Sequence, residues 1–186
     1  MDEQGLKQAV LLGHSFGGRI SIQLAAAFPE RVLAMVLING HGLRLPPPLS
    51  ASLKTKGMGF LRSLIKFFDS VSGSTLFKDW FVPRFASPDY LKAGVLRKTF
   101  VKVVNEDLTS EAAGIKVPSF LLWGGADTET PLALGQRLHD LIKNSELVVL
   151  PEAGHNMHLD SGAYLCAFHL LPFLQRFLVN RDGGQA

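Results

Sequence analysis

The stretch Gly13-His14-Ser15-Phe16-Gly17-Gly18 constrains this chain more than any other. An apolar run, Ala9-Val10-Leu11-Leu12, enters it, and a helix-forming stretch, Ile20 to Ala27, leaves it. Strand, Gly-x-Ser-x-Gly and helix in that order make a nucleophile elbow, a turn sharp enough to hold a serine hydroxyl clear of the backbone. In so tight a bend, a side chain at either flanking glycine, Gly13 or Gly17, is expected to collide with the neighbouring strand or helix. Glycine-rich turns with a serine are common, and the plainer alternative is an ordinary strand-to-helix turn. The buried strand before Ser15 and the helix after it favour the elbow.

The rest of the chain supplies more of the same architecture. Phe28-Pro29-Glu30-Arg31 ends the helix, and Val32 to Ile38 reads as a second, fully apolar strand. The pattern resumes at Pro118 to Trp123, followed by Gly124-Gly125-Ala126-Asp127 and a helix from about Pro131 to Lys143. Leu134, Leu138, Leu141 and Ile142 fall on one face of that helix. A last strand runs from Glu146 to Leu150, with Gly154-His155 in the loop beyond it. The terminal segment, Ala163 to Val179, has a helical pattern that Pro172 is expected to kink or divide, and the tail from Arg181 is expected to be disordered. Short buried runs alternating with helices indicate an α/β fold, with a small, mostly parallel sheet flanked by helices.

Between Gly40 and about Ala113 the character changes. A proline-rich linker around Pro46-Pro47-Pro48 leads into aromatic-rich amphipathic stretches at Met58 to Phe68, Leu76 to Phe81 and Tyr90 to Val104. These read as a helical cap insertion over the sheet's ligand-bearing edge. The expected division is core at 1–42, cap at 43–113 and core again at 114–186. The aromatic side chains of the insertion ordinarily form its own core, and a subset, with Phe67, Trp80 and Phe81 as candidates, is expected to line an apolar substrate pocket.

With 186 residues, 47% of them hydrophobic, the chain has room for one domain with a core, or one core and an insertion. Its net charge of +3 is mild and its basic residues are scattered, which argues against nucleic acid as a partner. Cys166 is the single cysteine and forms no internal disulfide, in keeping with a reducing compartment; the expected role is a buried small apolar group. The N-terminus lacks a signal-peptide layout, so a cytoplasmic location is expected.

A serine hydroxyl is a feeble nucleophile unless a base removes its proton and a third group orients that base. Ser15, Asp127 and His155 each lie just past the end of an expected strand, the edge where open parallel sheets place their ligands. Ser15 would attack a carbonyl carbon, His155 would carry the proton to the leaving group, and Asp127 would fix the imidazole tautomer. Asp127 could instead cap the helix near Pro131, with Glu129 as the fallback acid. His14 reads chiefly as a structural residue of the elbow that also borders the substrate. His158 and Asp160 invite a metal reading, but the loop lacks the helical spacing that a zinc site of this type uses. Neither a metal nor a cofactor is expected.

The segments Val10 to Gly18, Leu122 to Pro131 and Ala153 to Asp160 together resemble the α/β-hydrolase family, its esterase-like branch with a helical cap. The resemblance implies Ser15 as nucleophile, Asp127 as acid, His155 as base and the Phe16 N–H as an oxyanion donor. It implies a small carboxylic ester as substrate, with hydrolysis of a carbon–carbon bond in a diketone-like compound as the alternative. Relative to that family the upstream strands and their His-Gly loop, the source of a second oxyanion donor, are absent from this sequence. Losing one such donor costs about a hundred- to a thousandfold in rate, so weak activity, or an inactive binding module, is a rival expectation. His41-Gly42 is weighed as a substitute donor. Without the upstream strands, residues 9–12 form an exposed apolar edge, for which a homodimer joined at that strand, or a separate chain carrying the missing half, is expected.

Overall fold

The computed structural model describes residues 1–45, 49–86, 91–159 and 162–178, without the side chains of residues 49–56. The expected linker at Pro46 to Pro48, the Tyr90 start of the third amphipathic stretch, Asp160 and the tail lie outside the described residues. Two compact units result, one of residues 1–45 and 107–186 and one of residues 46–106.

The first unit is built on a parallel sheet with strand order β1-β2-β3-β4: β1 Ala9–His14, β2 Val32–Ile38, β3 Ser119–Gly124 and β4 Ser145–Leu150. The helix α1, Phe16–Ala27, crosses between β1 and β2. In β2, residues alternate between two covered faces, which is why the strand is apolar throughout. Met35 and Leu37 pack in one cluster with Ile22 of α1, and Val36 and Ile38 pack in the other with Leu170 and Phe173 of the C-terminal helix. Truncating a fully buried leucine such as Leu121 or Leu37 to alanine is expected to cost about 2–5 kcal/mol. Sequential strands with their connecting helices on one face is the arrangement that crossovers of a single hand produce.

In the second unit, α2 spans Leu49–Ser72, a wide turn Phe77–Phe81 runs into α3, Val82–Phe85, and α4 spans Arg97–Val104. The chain then returns to the first unit through α5, Thr109–Gly114, whose Ala112, with Leu108 just before it, is buried in the cluster with Ile22. After β3 comes α6, Leu132–Leu141, and after β4 comes α7, Gly162–Leu178. Leu134 and Leu138 of α6, with Ile142 just after it, are buried on one face, as the spacing predicts.

Two local expectations need correction. A Cβ on Gly13 would lie 2.6 Å from the carbonyl oxygen of Gly17 and 2.7 Å from Ser21 Oγ, so that position is closed, but nothing lies within 4 Å of one on Gly17. The second tight position is Gly18, where a Cβ would meet Gly40 Cα at 2.8 Å and the His41 nitrogen at 3.0 Å. Pro172 does not divide the last helix: α7 runs through it as one element, with the ring on the exposed side while Phe173 and Leu170 face the sheet. Among the described residues no helix is long and apolar enough to cross a membrane.

Candidate active site

β1 ends at His14, and the next residue, Ser15, takes φ +50°. A non-glycine residue in the left-handed region stores about 1–3 kcal/mol, which the surroundings must offset. They do so through the backbone: the Ser15 N–H donates to Ile38 O at 3.3 Å, and the Ser15 carbonyl accepts from Gly18 at 3.0 Å and from His41 at 2.8 Å. The serine is thus pinned to the end of β2 as well as to its own helix. Phe16 opens α1, where amides have no carbonyl one turn back to bond. The Ser15 hydroxyl itself makes no hydrogen bond among the described residues.

Asp127 follows β3 with its side chain fully buried. One carboxylate oxygen accepts from the amides of Glu129, at 2.8 Å, and Thr130, at 2.9 Å. The other accepts from the Thr130 hydroxyl at 2.6 Å and from His155 Nδ1 at 2.8 Å. Burial alone would raise its pKa, but the Thr130 hydroxyl, the His155 ring and the two amides outweigh burial and leave it below the usual aspartate value. An aspartate kept ionised in this way holds the His155 proton on Nδ1 and leaves Nε2 as the basic nitrogen. It does not cap α6, whose first turn has no side-chain cap. Glu129, the fallback acid, is 67% exposed and its Oε2 lies 3.6 Å from His155 Nε2, on the side of the ring away from Asp127.

Three imidazoles gather here. The His14 ring lies 4.8 Å from that of His155 and 4.0 Å from that of His158, and His14 Nε2 donates to the His155 carbonyl at 3.0 Å. Burial, partly opposed by that hydrogen bond, holds the His14 pKa below the ordinary histidine value. Burial and then the Arg19 guanidinium do the same to His41. The backbone N–H of His41, one of the two amides of the His41-Gly42 pair weighed as a substitute oxyanion donor, is already bonded to the Ser15 carbonyl. Among the described residues no group of three or more His, Cys, Asp or Glu is arranged to hold a metal ion. Cys166 is buried, with its thiol pKa raised by that burial.

Two residues that the sequence reading passes over tie these loops together. Asn39, wholly buried and at φ +46°, donates through Nδ2 to the carbonyls of His155, at 2.8 Å, and Gly154, at 3.0 Å. Its Oδ1 accepts from the Gly124 amide at 2.8 Å, and its carbonyl lies 3.1 Å from the Thr130 hydroxyl. One side chain therefore spans the ends of β2 and β3 and the histidine loop. Thr130 joins the same network through Asp127. The available signal was the Asn39-Gly40 pair closing an apolar strand, which reads as a turn; nothing in the spacing reveals the three partners.

The structure brings Asp127 and His155 into contact and places Ser15 and His14 at the same sheet edge. Phe67, Trp80 and Phe81 belong to the second unit. Phe81 is buried and stacks on Phe77 at 5.3 Å, Trp80 meets Phe85 edge-on, and Phe67 is 71% exposed.

A family model described as the alpha/beta hydrolase family matches residues 1–168. The chain belongs to that family. A pimeloyl-[acyl-carrier protein] methyl ester esterase of Neisseria meningitidis serogroup B is 29% identical over 175 residues, which cover 87% of this chain and 67% of the esterase. A 2-hydroxy-6-oxononadienedioate/2-hydroxy-6-oxononatrienedioate hydrolase of Paraburkholderia phymatum is 26% identical over 168 residues, covering 83% of this chain and 58% of that enzyme. Among solved structures, a hydrolase from Pseudomonas aeruginosa shares the fold with a TM-score of 0.61 at 22% identity, covering 93% of this chain and 67% of that one. The hydrolase-family chain thus spans about two thirds or less of the length of the curated relatives it matches.

Proposed function

We propose that the chain is a serine hydrolase that cleaves small carboxylic esters through an acyl-enzyme on Ser15. The observation that carries this reading is the buried Asp127 bonded to His155 Nδ1 at the edge where Ser15 turns at φ +50°. His155 Nε2 removes the Ser15 proton as Oγ attacks the carbonyl carbon, and the imidazolium that forms is stabilised by Asp127. The carbonyl oxygen takes up negative charge near the Phe16 N–H. Collapse of the tetrahedral adduct breaks the ester C–O bond, and His155 gives its proton to the leaving alcohol. Water, deprotonated by the same nitrogen, then attacks the acyl carbon and releases the carboxylic acid and Ser15. His14 packs against His155 and borders the entering substrate. No step calls for a cofactor.

A second reading, hydrolysis of a carbon–carbon bond in a vinylogous diketone, is favoured by the likeness to the Paraburkholderia enzyme. Fluorophosphonate labelling of the chain, with Ser15→Ala as control, tests the nucleophile; p-nitrophenyl esters set against a vinylogous diketone then separate the two reactions. Absence of Ser15-dependent labelling would overturn both.

We further propose that β1 pairs with β1 of a second copy. Leu12 is 57% exposed on a strand with no partner on its outer side among the described residues. Phe16, Ile20 and Leu24, four apart along α1, and Phe28 just after it are exposed as well. A rival occupant of that edge is a separate chain bringing further strands. Light scattering at micromolar concentration distinguishes them: a dimer supports the first, and a monomer removes it.

A further inference from the structure

We propose that the second unit carries a binding site for a long-chain carboxylate, held within that unit and independent of the chemistry at Ser15. A cavity of about 1020 Å³ opens there between α2, the Phe77–Phe81 turn, α3 and α4. That is at the upper end of what small-ligand sites enclose. Its apolar wall is made by Phe77, Phe81, Phe85 and Phe100, and cations on two different helices, Arg62 on α2 and Lys98 on α4, stand at it. Arg97 lines it too.

Three features point to an amphiphile with one anionic end. The wall is aromatic and concave, and it suits a chain that enters a cavity better than a flat bilayer surface. The cations are not used up by the fold: neither Arg62 nor Lys98 has an ion-pair partner among the described residues. Arg62 instead lies over the Phe77 ring, 5.9 Å from its centroid, where an incoming carboxylate could take it in a two-pronged hydrogen bond. Finally, the charge is concentrated. Residues 46–106 hold ten Lys and Arg against four Asp and Glu, whereas the other unit is acidic. Of the acids described near the turn, Asp69 accepts from the amides of Leu76 and Phe77 and from Ser74, and Asp79 from Thr75; both keep their charge, but neither lines the cavity. A neutral ligand gains nothing from such a rim, and a short anion gains nothing from four phenylalanines.

The test uses the full chain carrying Ser15→Ala, so that no turnover intervenes, titrated with laurate below its micelle concentration. Calorimetry and Trp80 fluorescence read binding, because Trp80 touches Phe85 at the cavity wall, with Trp80→Phe removing the optical signal. Saturable one-to-one binding is expected, weakened about tenfold or more by Arg62→Gln with Lys98→Gln. Dodecanol is expected to bind about tenfold more weakly than laurate and to ignore the double substitution, and acetate is expected not to bind. Both substituted residues are exposed, and a circular dichroism spectrum checks that the variant is folded. Laurate affinity unchanged by the double substitution, equal affinity for dodecanol, tighter binding of dodecyl phosphate, or binding of anionic phospholipid vesicles without binding of monomeric laurate would each overturn the site. The outcome does not depend on whether Ser15 labels, so its failure and that of the hydrolase reading are separable.

Discussion

The two units solve different problems with the same alphabet. In the sheet unit the apolar residues of the two inner strands β2 and β3 are buried and the polar ones at the strand ends are locked: Asp127 meets four donors and Asn39 fastens three chain segments. In the second unit Ile65 and Phe81 are the buried members among the described hydrophobic side chains, whereas Phe60, Phe67, Phe68, Val71 and Val95 are exposed. One unit fixes a few atoms in place; the other presents a shaped, positively charged apolar surface. Buried polar networks lose much when a single member is removed, and open apolar surfaces lose little. The contrast predicts a steep gradient of mutational effects between them.

The largest effects should fall in the first unit. Ser15→Ala is expected to lower kcat for a p-nitrophenyl ester about 10⁴- to 10⁶-fold with KM little changed. Asp127→Asn, which lets the imidazole take the wrong tautomer, should cost about 10⁴-fold. Either variant retaining near-normal turnover would leave the contrast without a catalytic side. One step down is Thr130→Val, which removes a donor from the Asp127 carboxylate while keeping the shape. A hydrogen bond to a charged group is worth about 1.5–3 kcal/mol, so kcat/KM should fall about tenfold to a hundredfold, and Thr130→Ser should restore it. No recovery with serine would mean that the methyl contact, not the hydroxyl, matters at that position.

Stability against acid separates the units in a second way. His14 and His41 are held below the ordinary histidine pKa in the fold, so between that lowered value and about 6.5 the unfolded chain binds more protons than the native one. Their contribution is complete above about pH 6.5 and is lost as the pH falls through that window; the depressed Asp127 adds a further loss below about pH 4. The urea midpoint should therefore drop between pH 7.5 and pH 5.5, and His41→Gln should flatten the drop. An unchanged slope in that variant would shift the acid sensitivity to other groups.

How much of this could be read from the sequence differs between the units for a physical reason. β2 was legible residue for residue, because a strand buried on both faces must be apolar throughout, and Val32 to Ile38 leaves no other choice. The turn at Ser15 was legible because Gly13 leaves no room for a side chain. Asn39 was not, since one letter between an isoleucine and a glycine carries no record of partners more than eighty residues away. The second unit was legible only as amphipathic helix: spacing shows that Phe77 and Phe81 share a face, but whether that face closes on itself or encloses a cavity depends on neighbours from α2 and α4.

The smallest expected effect is the one that sharpens the comparison most. Phe67 resembles Phe81 in every property a sequence can show: both are phenylalanines in amphipathic stretches of the same unit. The structure separates them, leaving Phe67 mostly exposed on α2 while Phe81 is buried, stacked on Phe77 and part of the cavity wall. A substitution at an exposed site away from special contacts stays within about 0.5 kcal/mol, whereas truncating a buried phenylalanine costs about 3–5 kcal/mol. Phe67→Ala should therefore leave the urea midpoint and the ester kcat/KM nearly unchanged, and Phe81→Leu should lower the midpoint measurably. If Phe67→Ala instead lowers ester kcat/KM severalfold with stability intact, that exposed ring contacts substrate, and the open aromatic surface of the second unit takes part in the reaction as well as in binding.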